Sequence, residues 1–486
     1  MKSANLGNMA MLSEKKIYLL YPPISKMERY SSEIGSAGGE QIPLGIFYLA
    51  SYLRKFDFQV KVTDAEALKL ASAEIVSEIA DFAPKYVGIS STTVAFHRAI
   101  EIAEDIRKTN PEIIIILGGP HVTSNPEHAL SSGLFNYGVL REGEITLIEL
   151  LQALNENKNP NTISGIAYLD KNKKLIVTSP REYIKNLDIL PFPAFDLLHD
   201  LNLYKPQPSN YKTLPVINMI TSRGCPGLCT FCDNNTFGRN YRKRLAENIA
   251  EEIKYLIQEF SIREFFFVDD TFLIDKARIY RLFEILKREN ISFYWTCASR
   301  INDVDYELLK FIKSKGCWHI SFGIESGDEN ILKVIKKNIS LERVTEVIKW
   351  CKQLGIKTKG FFILGHPTET LETLEKTIKL ACKLQLDDIV ATINTPIPGS
   401  VQYAEALNYG AIDKTDWTQY NYWRPVFVPN GLTKEILLEK HGEIYRKFYL
   451  RPRILLRYFF GFFGKGGWRR FLNISKASFF IFKKNS

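Results

Sequence analysis

Three cysteines stand within eight residues in Cys225-Pro-Gly-Leu-Cys229-Thr-Phe-Cys232. Thiolates are the soft ligands that iron–sulfur clusters require, and three of them leave the fourth iron of a [4Fe–4S] cubane open to another ligand. A structural zinc site needs a fourth Cys or a His nearby, and a disulfide framework needs pairs; this segment supplies neither. The other four cysteines, Cys297, Cys317, Cys351 and Cys382, have no ligand spacing and read as buried structural thiols. An odd total of seven in a 486-residue chain points to a reducing, cytoplasmic setting.

Residues with this chemistry need a scaffold that aims them at one point. From Leu214 onward, apolar strand-like runs alternate with amphipathic stretches. The runs are Pro215–Thr221, Glu264–Val268, Ser292–Cys297, Trp318–Gly323, Lys357–Leu364 and Asp388–Asn394. Six strand–helix units in this length predict a partial (β/α)6 barrel of TIM type, whose chemistry lies on the loops at the carboxyl ends of its strands. The cysteine triplet follows the first of them.

An earlier alternating series begins at Lys16–Ile24 and continues through Gln59–Thr63, Tyr86–Ser90, Ile113–Leu117 and Tyr137–Leu140. It predicts an N-terminal doubly wound parallel sheet of the flavodoxin or Rossmann kind. Gly165–Leu169 and Lys174–Thr178 read as a hairpin, and Leu190-Pro-Phe-Pro193 as a linker. The chain therefore divides into a first domain over 14–155, a hairpin and linker over 156–212, a barrel over 213–400 and an extension over 401–486. The fold class is α/β throughout.

The order and spacing of the barrel motifs resemble those of the radical SAM superfamily. That resemblance implies that Cys225, Cys229 and Cys232 hold a [4Fe–4S] cluster. Its open iron would chelate S-adenosylmethionine (SAM), and one electron would release a 5′-deoxyadenosyl radical. It places Phe231 near the adenine. It also implies SAM contacts from Asp269 and Asp270, from Glu325 and Ser326 in Ser321-Phe-Gly-Ile-Glu-Ser-Gly327, from Gly365 in Gly360-Phe-Phe-Ile-Leu-Gly-His-Pro367, and from Pro396. Asp269-Asp270 stands where the wider superfamily often has Gly-Gly-Glu. His319 and His366 fall near strand ends, where a lone histidine is ordinarily packed.

The first 155 residues resemble the cobalamin-binding domain that precedes the radical SAM domain in a large subfamily. That subfamily includes methyltransferases and the anaerobic magnesium-protoporphyrin ester cyclase. The resemblance rests on Pro43-Leu-Gly45, Val87-Gly-Ile-Ser-Ser-Thr92, Gly118-Gly-Pro-His121 and Arg141-Glu-Gly-Glu144. It implies cobalamin contacts from Ser90, Ser91, Thr92, Gly118, Gly119, Pro120, His121, Gly143 and Glu144. The Asp-x-His-x-x-Gly motif that supplies a lower axial histidine in other cobalamin proteins is absent. No G-x-G-x-x-G follows a strand, so a dinucleotide is disfavoured.

The resemblance implies a cobalamin-dependent radical SAM methyltransferase acting on an unactivated carbon, with methylcobalamin as methyl donor. Its substrate would be a small molecule or lipid, and its reductant an external one-electron donor such as flavodoxin or ferredoxin. Two alternatives stand beside it: a cobalamin-dependent radical oxidoreductase or cyclase without methyl transfer, and a non-catalytic membrane-associated binding protein.

Hydrophobic residues at 45% and charged residues at 24% exclude wholesale disorder. The net charge of +10 belongs to the tail: residues 446–486 hold eleven Lys and Arg and no acid, so the rest is close to neutral. Aromatics interleave those cations, a composition open to two readings: a segment lying on an anionic membrane surface, or aromatics packed on the barrel with the charges merely solvated. Nucleic acid is not expected, nor is a signal peptide.

Overall fold

The computed structural model describes residues 15–34, 38–207 and 209–456. Most of the basic aromatic tail, from 457 onward, lies outside them. The chain forms two compact units. Among the described residues, the first comprises 15–25, 43–203 and 233–238; the second comprises 26–34, 38–42, 204–207, 209–232 and 239–456. The 156–203 stretch thus belongs with the first unit, whereas 26–34 and 38–42 belong with the second.

In the first unit, strand β1 (Lys16–Tyr21) is a buried apolar run that stops where Pro22 and Pro23 can no longer donate to a ladder. It lies between β2 (Gln59–Asp64) and β3 (Tyr86–Ser90), followed by β4 (Ile114–Gly118) and β5 (Tyr137–Val139), all parallel. β6 (Ile166–Leu169) and β7 (Leu175–Val177) add an antiparallel hairpin, giving the order β2-β1-β3-β4-β5-β6-β7. Asp170 fixes that hairpin by accepting from the N–H groups of Asn172 and Lys174, each at 2.8 Å. Helices α1 (Leu44–Arg54) and α4 (Gly143–Asn155) cover one face, α2 (Ser72–Phe82) and α3 (Phe96–Thr109) the other. Sandwiching on both faces explains why β1, β3 and β4 read as continuous apolar runs. The connections reverse between β1 and β3, and such a switch point is where doubly wound sheets bind ligands.

In the second unit, six parallel strands follow one another without a reversal: β8 (Val216–Met219), β9 (Glu264–Phe267), β10 (Tyr294–Ser299), β11 (Cys317–Glu325), β12 (Lys357–Leu364) and β13 (Asp388–Ile393). Among the described residues β8 and β13 do not pair, so the barrel is open. Outside it pack α5 (Ala246–Phe260), α6 (Lys276–Arg288), α7 (Tyr306–Ser314), α8 (Glu329–Val334), α9 (Leu341–Leu354) and α10 (Leu371–Lys383). Asp275, Asp305, Asp328, Ser340 and Thr370 cap five of these with their side chains. Phe265, Phe267, Phe272, Phe283 and Trp295 interlock on the helix side of β9 and β10.

After α11 (Val401–Tyr409), helix α12 (Lys434–Tyr449) covers the open edge at β13. His441 Nε2 donates to the Ala391 carbonyl at 2.9 Å, and Tyr445 Oη bonds both Ala391 N and Ala391 O at 3.0 Å. One turn on, Tyr449 donates to Asp388. Side chains four residues apart share a helix face, so one helix blocks an edge that would otherwise invite another strand. No helix among the described residues is long and apolar enough to cross a membrane.

Candidate functional site

The cysteine loop leaves the end of β8 and is pinned at several points. Thr230 donates from its N–H to the Ile335 carbonyl at 3.0 Å, just beyond α8. Its carbonyl accepts from Gln402 N at 2.9 Å, and its hydroxyl accepts from Gln402 Nε2 at 3.2 Å. Arg239 holds the Gly227 carbonyl. A side chain at Gly227 would place its Cβ 3.3 Å from Cys225 Sγ and 3.8 Å from Cys229 Sγ, so glycine leaves the space between the two sulfurs open. Gly227 N–H points at Cys225 Sγ at 3.4 Å, an N–H···S contact of the kind that tunes clusters.

The Cys229 and Cys232 thiols influence each other's protonation. Cys232 lowers the Cys229 thiol, helped by Lys337 and Arg300, while Cys229 and burial push Cys232 up. Among the described residues no three Cys, His, Asp or Glu side chains gather tightly enough for a single metal ion. Three thiols spread around a glycine-lined space, with no fourth protein ligand, suit a cubane cluster better than mononuclear zinc. Cys297, Cys317 and Cys351 are buried elsewhere in the barrel wall, and Cys382 is half-buried.

Around the loop, buried polar groups converge. Glu325 adopts φ +68° at a register shift in β11, and its carboxylate meets Lys337 Nζ at 2.7 Å with both side chains buried. A Cβ at Gly323 would lie 2.4 Å from Glu325 Oε1 and 2.6 Å from Lys337 Nζ, so only glycine leaves room for this pair. The Lys337 ammonium also sits 5.8 Å from the centre of the Phe231 ring. Its acidity is held down, that is, its pKa is raised, by Glu325 and Cys229 against the opposing effect of burial. His366 packs against Phe231 at 5.7 Å between ring centres; it is fully buried with neither ring nitrogen hydrogen-bonded. Burial first, then Lys337, lowers its pKa to about 3, which keeps the ring neutral. Glu369 accepts from the N–H groups of Gly365 and His366 through Oε2, leaving Oε1 unpaired, and burial raises its carboxyl to about 8. Asn394 Nδ2, at the end of β13, is buried and unpaired as well.

The two aspartates at the end of β9 behave differently. Asp269 is buried and accepts from Thr221 N, Thr221 Oγ1 and Ser222 Oγ, tying the end of β9 to the start of the cysteine loop. Asp270 is solvent-accessible yet walled by protein. Its carboxyl is raised by desolvation and by Asp269, against a hydrogen bond from Gly224 N–H, and its charge reaches Cys225. Ser326 is committed internally, to Thr377 Oγ1 and Asp328 N, each at 3.2 Å. Gly365 takes φ +90° after β12, and Pro396 is buried after β13. Lys337 escaped the sequence reading because Ile335-Lys-Lys-Asn338 looks like a solvated face; nothing local distinguishes it from Lys336.

In the first unit, the loops after β3 and β4 cross each other beside the switch point. Gly119, at φ +99°, crosses Ser91 so closely that a Cβ would lie 2.6 Å from Ser91 O. Ser91 is buried, Ser90 is half-buried, and the Thr92 hydroxyl is buried without a partner, an orphan that fits a polar ligand group. Gly118 ends β4, and Pro120 opens the short helix Pro120–Ser124. His121 is fully buried with both nitrogens engaged, Nδ1 with Thr93 Oγ1 at 3.2 Å and Nε2 with His128 Nδ1 at 3.0 Å, its ring 4.3 Å from that of Phe96. Burial and His128 lower its pKa to about 3. Gly143 and Glu144 open α4; a Cβ at Gly143 would meet Leu49 at 3.2 Å, and Glu144 is buried.

Comparison with known proteins places both units. A profile described as the Radical SAM superfamily matches residues 219–381, and one described as B12 binding domain matches 33–151. An uncharacterized methyltransferase of Pyrococcus horikoshii is 35% identical over 445 residues, covering 91% of this chain and 94% of that protein. The anaerobic magnesium-protoporphyrin IX monomethyl ester cyclase of Rubrivivax gelatinosus is 28% identical, covering 88% and 77%. Among solved structures, the cobalamin-dependent S-adenosylmethionine radical enzyme OxsB, with aqua-cobalamin bound, shares the fold with a TM-score of 0.66 at 21% identity. That match covers 82% of this chain but only 56% of OxsB, so the chain spans about half the length of that enzyme.

Proposed function

This chain belongs to the cobalamin-binding radical SAM family, whose cofactors are a [4Fe–4S] cluster, SAM and cobalamin, and on that premise we propose that it is a methyltransferase acting on an unactivated carbon. The observation that carries the reading is the cysteine loop, three thiols around a glycine-sized space with a neutral buried histidine and a buried ion pair beside it. When bound, the cofactors supply the hydrogen-abstracting radical and the methyl group.

The chain's own residues do the rest. Cys225, Cys229 and Cys232 would hold the cluster, and Gly227 N–H steadies Cys225. Thr230, fixed by Ile335 and Gln402, would hold the loop that carries the cluster in place. Glu325, His366, Glu369 and Asn394 present hydrogen-bonding atoms beside Phe231 for the polar parts of SAM, while Asp269 positions the loop from behind. Thr92, with its unpaired hydroxyl, and the Gly118–Gly119 turn would contact the cobalamin. Most of these groups are buried, so water is excluded where a carbon radical must survive.

The test is anaerobic reconstitution with iron, sulfide, hydroxocobalamin and SAM under a low-potential reductant. The reading expects about four irons, lost together in Cys229→Ala, as a cubane requires. It also expects S-adenosylhomocysteine whose formation depends on cobalamin. Formation of 5′-deoxyadenosine with no S-adenosylhomocysteine would overturn it in favour of a radical oxidoreductase or cyclase, the reading that similarity to the Rubrivivax cyclase supports.

A further inference from the structure

The inner face of the open barrel carries side chains that neither the cluster nor the SAM groups use. Strand alternation separates the two faces. Ile320, Phe322 and Ile324 of β11, with Trp295 and Cys297 of β10, are buried against the helices. The residues between them face inward. Their upper layers are apolar and half-buried, with Phe361, Ile363 and Val390 beside Gly323, while the half-buried Phe266 and Ala298 lie lower, level with Thr296 and Ser321 respectively.

Lower down the layers turn polar. Thr296 pairs in register with His319, and Ser321 follows on the same face. Thr296 and His319 are more than nine-tenths buried, and Thr296 Oγ1 and His319 Nε2 have no hydrogen-bond partner. Burial, with Lys359 and Lys357 nearby, lowers the His319 pKa to about 3, so the imidazole is uncharged.

The cation on this floor is not free. Lys359 Nζ lies 3.1 Å from Asp388, and it also donates to Ser209 Oγ and Asn210 Oδ1. Asn218 closes the floor beside β8 by exchanging two hydrogen bonds with the backbone of Ile42, at 3.1 and 2.9 Å. An incoming anion would meet Asp388 and find Lys359 already neutralised.

We propose that the molecule taken into the barrel lumen is elongated and apolar and ends in a neutral oxygen head group, held at the floor by Thr296, His319 and Ser321. This rests on the radical reading above and deepens it by naming the substrate class. At about 3.3 Å per residue, Ser321 lies about 13 Å below Glu325, so the head group anchors at the floor and the apolar body reaches the level of the cofactor groups.

The experiment is equilibrium dialysis of the reconstituted holoenzyme with radiolabelled decan-1-ol, with decanoate as competitor. Iron and cobalamin are counted on the same samples. Saturable binding is expected, with decan-1-ol at least tenfold tighter than decanoate. Thr296→Val should weaken decan-1-ol about five- to tenfold and Ser321→Ala comparably, the effect of one neutral hydrogen bond. Ala298→Phe, which fills the lumen, should abolish binding while iron and cobalamin stay at wild-type levels. Absence of saturable binding, decanoate binding as tightly as the alcohol, or full affinity in both Thr296→Val and Ser321→Ala would each overturn the proposal. Missing iron or cobalamin in the wild type would instead strike the function reading and leave the binding result to stand by itself.

Discussion

Replacing Glu325 by Gln removes one charge from a buried pair and leaves the other behind. Lys337 Nζ is 2.7 Å from Glu325 Oε1, with both side chains about nine-tenths buried. Stranding a buried charge costs about 3–5 kcal/mol. Lys337 can escape by losing its proton, and at pH 7.5 that costs about 1.36 kcal/mol for each of roughly 2.9 pH units, or about 4 kcal/mol. The expected deficit is therefore about 3–4 kcal/mol, roughly 10 °C in midpoint for a unit of this size. Cys229 is the other anion near the ammonium, so the comparison is made on a Cys229→Ser background.

The sign of the pH dependence separates this account from simple misfolding. In the parent the folded-state pKa of Lys337 is raised, so the pair's contribution is complete below about 10.4 and is lost only as pH climbs through the folded value. In Glu325→Gln the folded pKa falls below the unfolded one, so the deficit must shrink as pH rises from 7.5 to 9.5, by up to about 2.7 kcal/mol. Urea unfolding followed by tryptophan fluorescence reads the right unit, because every described tryptophan, from Trp295 to Trp423, lies in the second one. A deficit under about 1 kcal/mol, or one that stays constant between the two pH values, would refute the reasoning.

Four further outcomes follow from other contacts. Gly227→Val should cut iron in the reconstituted protein at least severalfold while leaving the apo unfolding midpoint unchanged, since its side chain enters the space between Cys225 and Cys229. Gly119→Ala should abolish cobalamin retention on gel filtration without reducing iron, because both its φ of +99° and the 2.6 Å approach to Ser91 O resist a side chain. Tyr445→Phe should cost about 1–2 kcal/mol and speed exchange of the Ala391 amide, which loses its partner at the barrel edge. His366→Leu should stabilise the ligand-free second unit by about 1 kcal/mol, by deleting two unpaired buried nitrogens, and should diminish the midpoint rise that SAM produces.

Much of this fold is legible in the sequence. The six barrel strands and five parallel strands of the first sheet announce themselves because each is an apolar run between capped helices or prolines. The triplet is readable because its function requires local spacing. What the sequence hides is pairing at a distance. Lys337 meets Glu325 only because α8 folds back over the cysteine loop through Ile331, Leu332 and Ile335. Asp269 and Asp270 are adjacent letters, yet strand alternation sends one into the barrel wall and leaves the other accessible, and no periodicity in four residues reveals which. The hairpin at 166–177 looked like part of a linker because its strands are short; its membership in the first sheet depends on pairing with β5.

The distribution of unpaired atoms carries its own argument about where ligands belong. A buried polar group without a partner costs about 1–3 kcal/mol, so a fold retains several only where something else satisfies them in use. On the barrel strands and the loops that end them, two groups of such atoms stand apart, besides others off the strands at Thr213, Tyr241, Arg278 and Gln402: His366, Glu369 and Asn394 at the carboxyl ends of β12 and β13, and Thr296 and His319 nearer the amino ends of β10 and β11. One cofactor molecule at the carboxyl ends could satisfy only the upper group. The lower group therefore calls for a second occupant, one whose oxygen reaches the floor while its body crosses the apolar layers of Phe361, Ile363 and Val390. A chain that served SAM alone would have no reason to keep Thr296 and His319 polar, and filling those positions with Val and Leu would be the more stable solution.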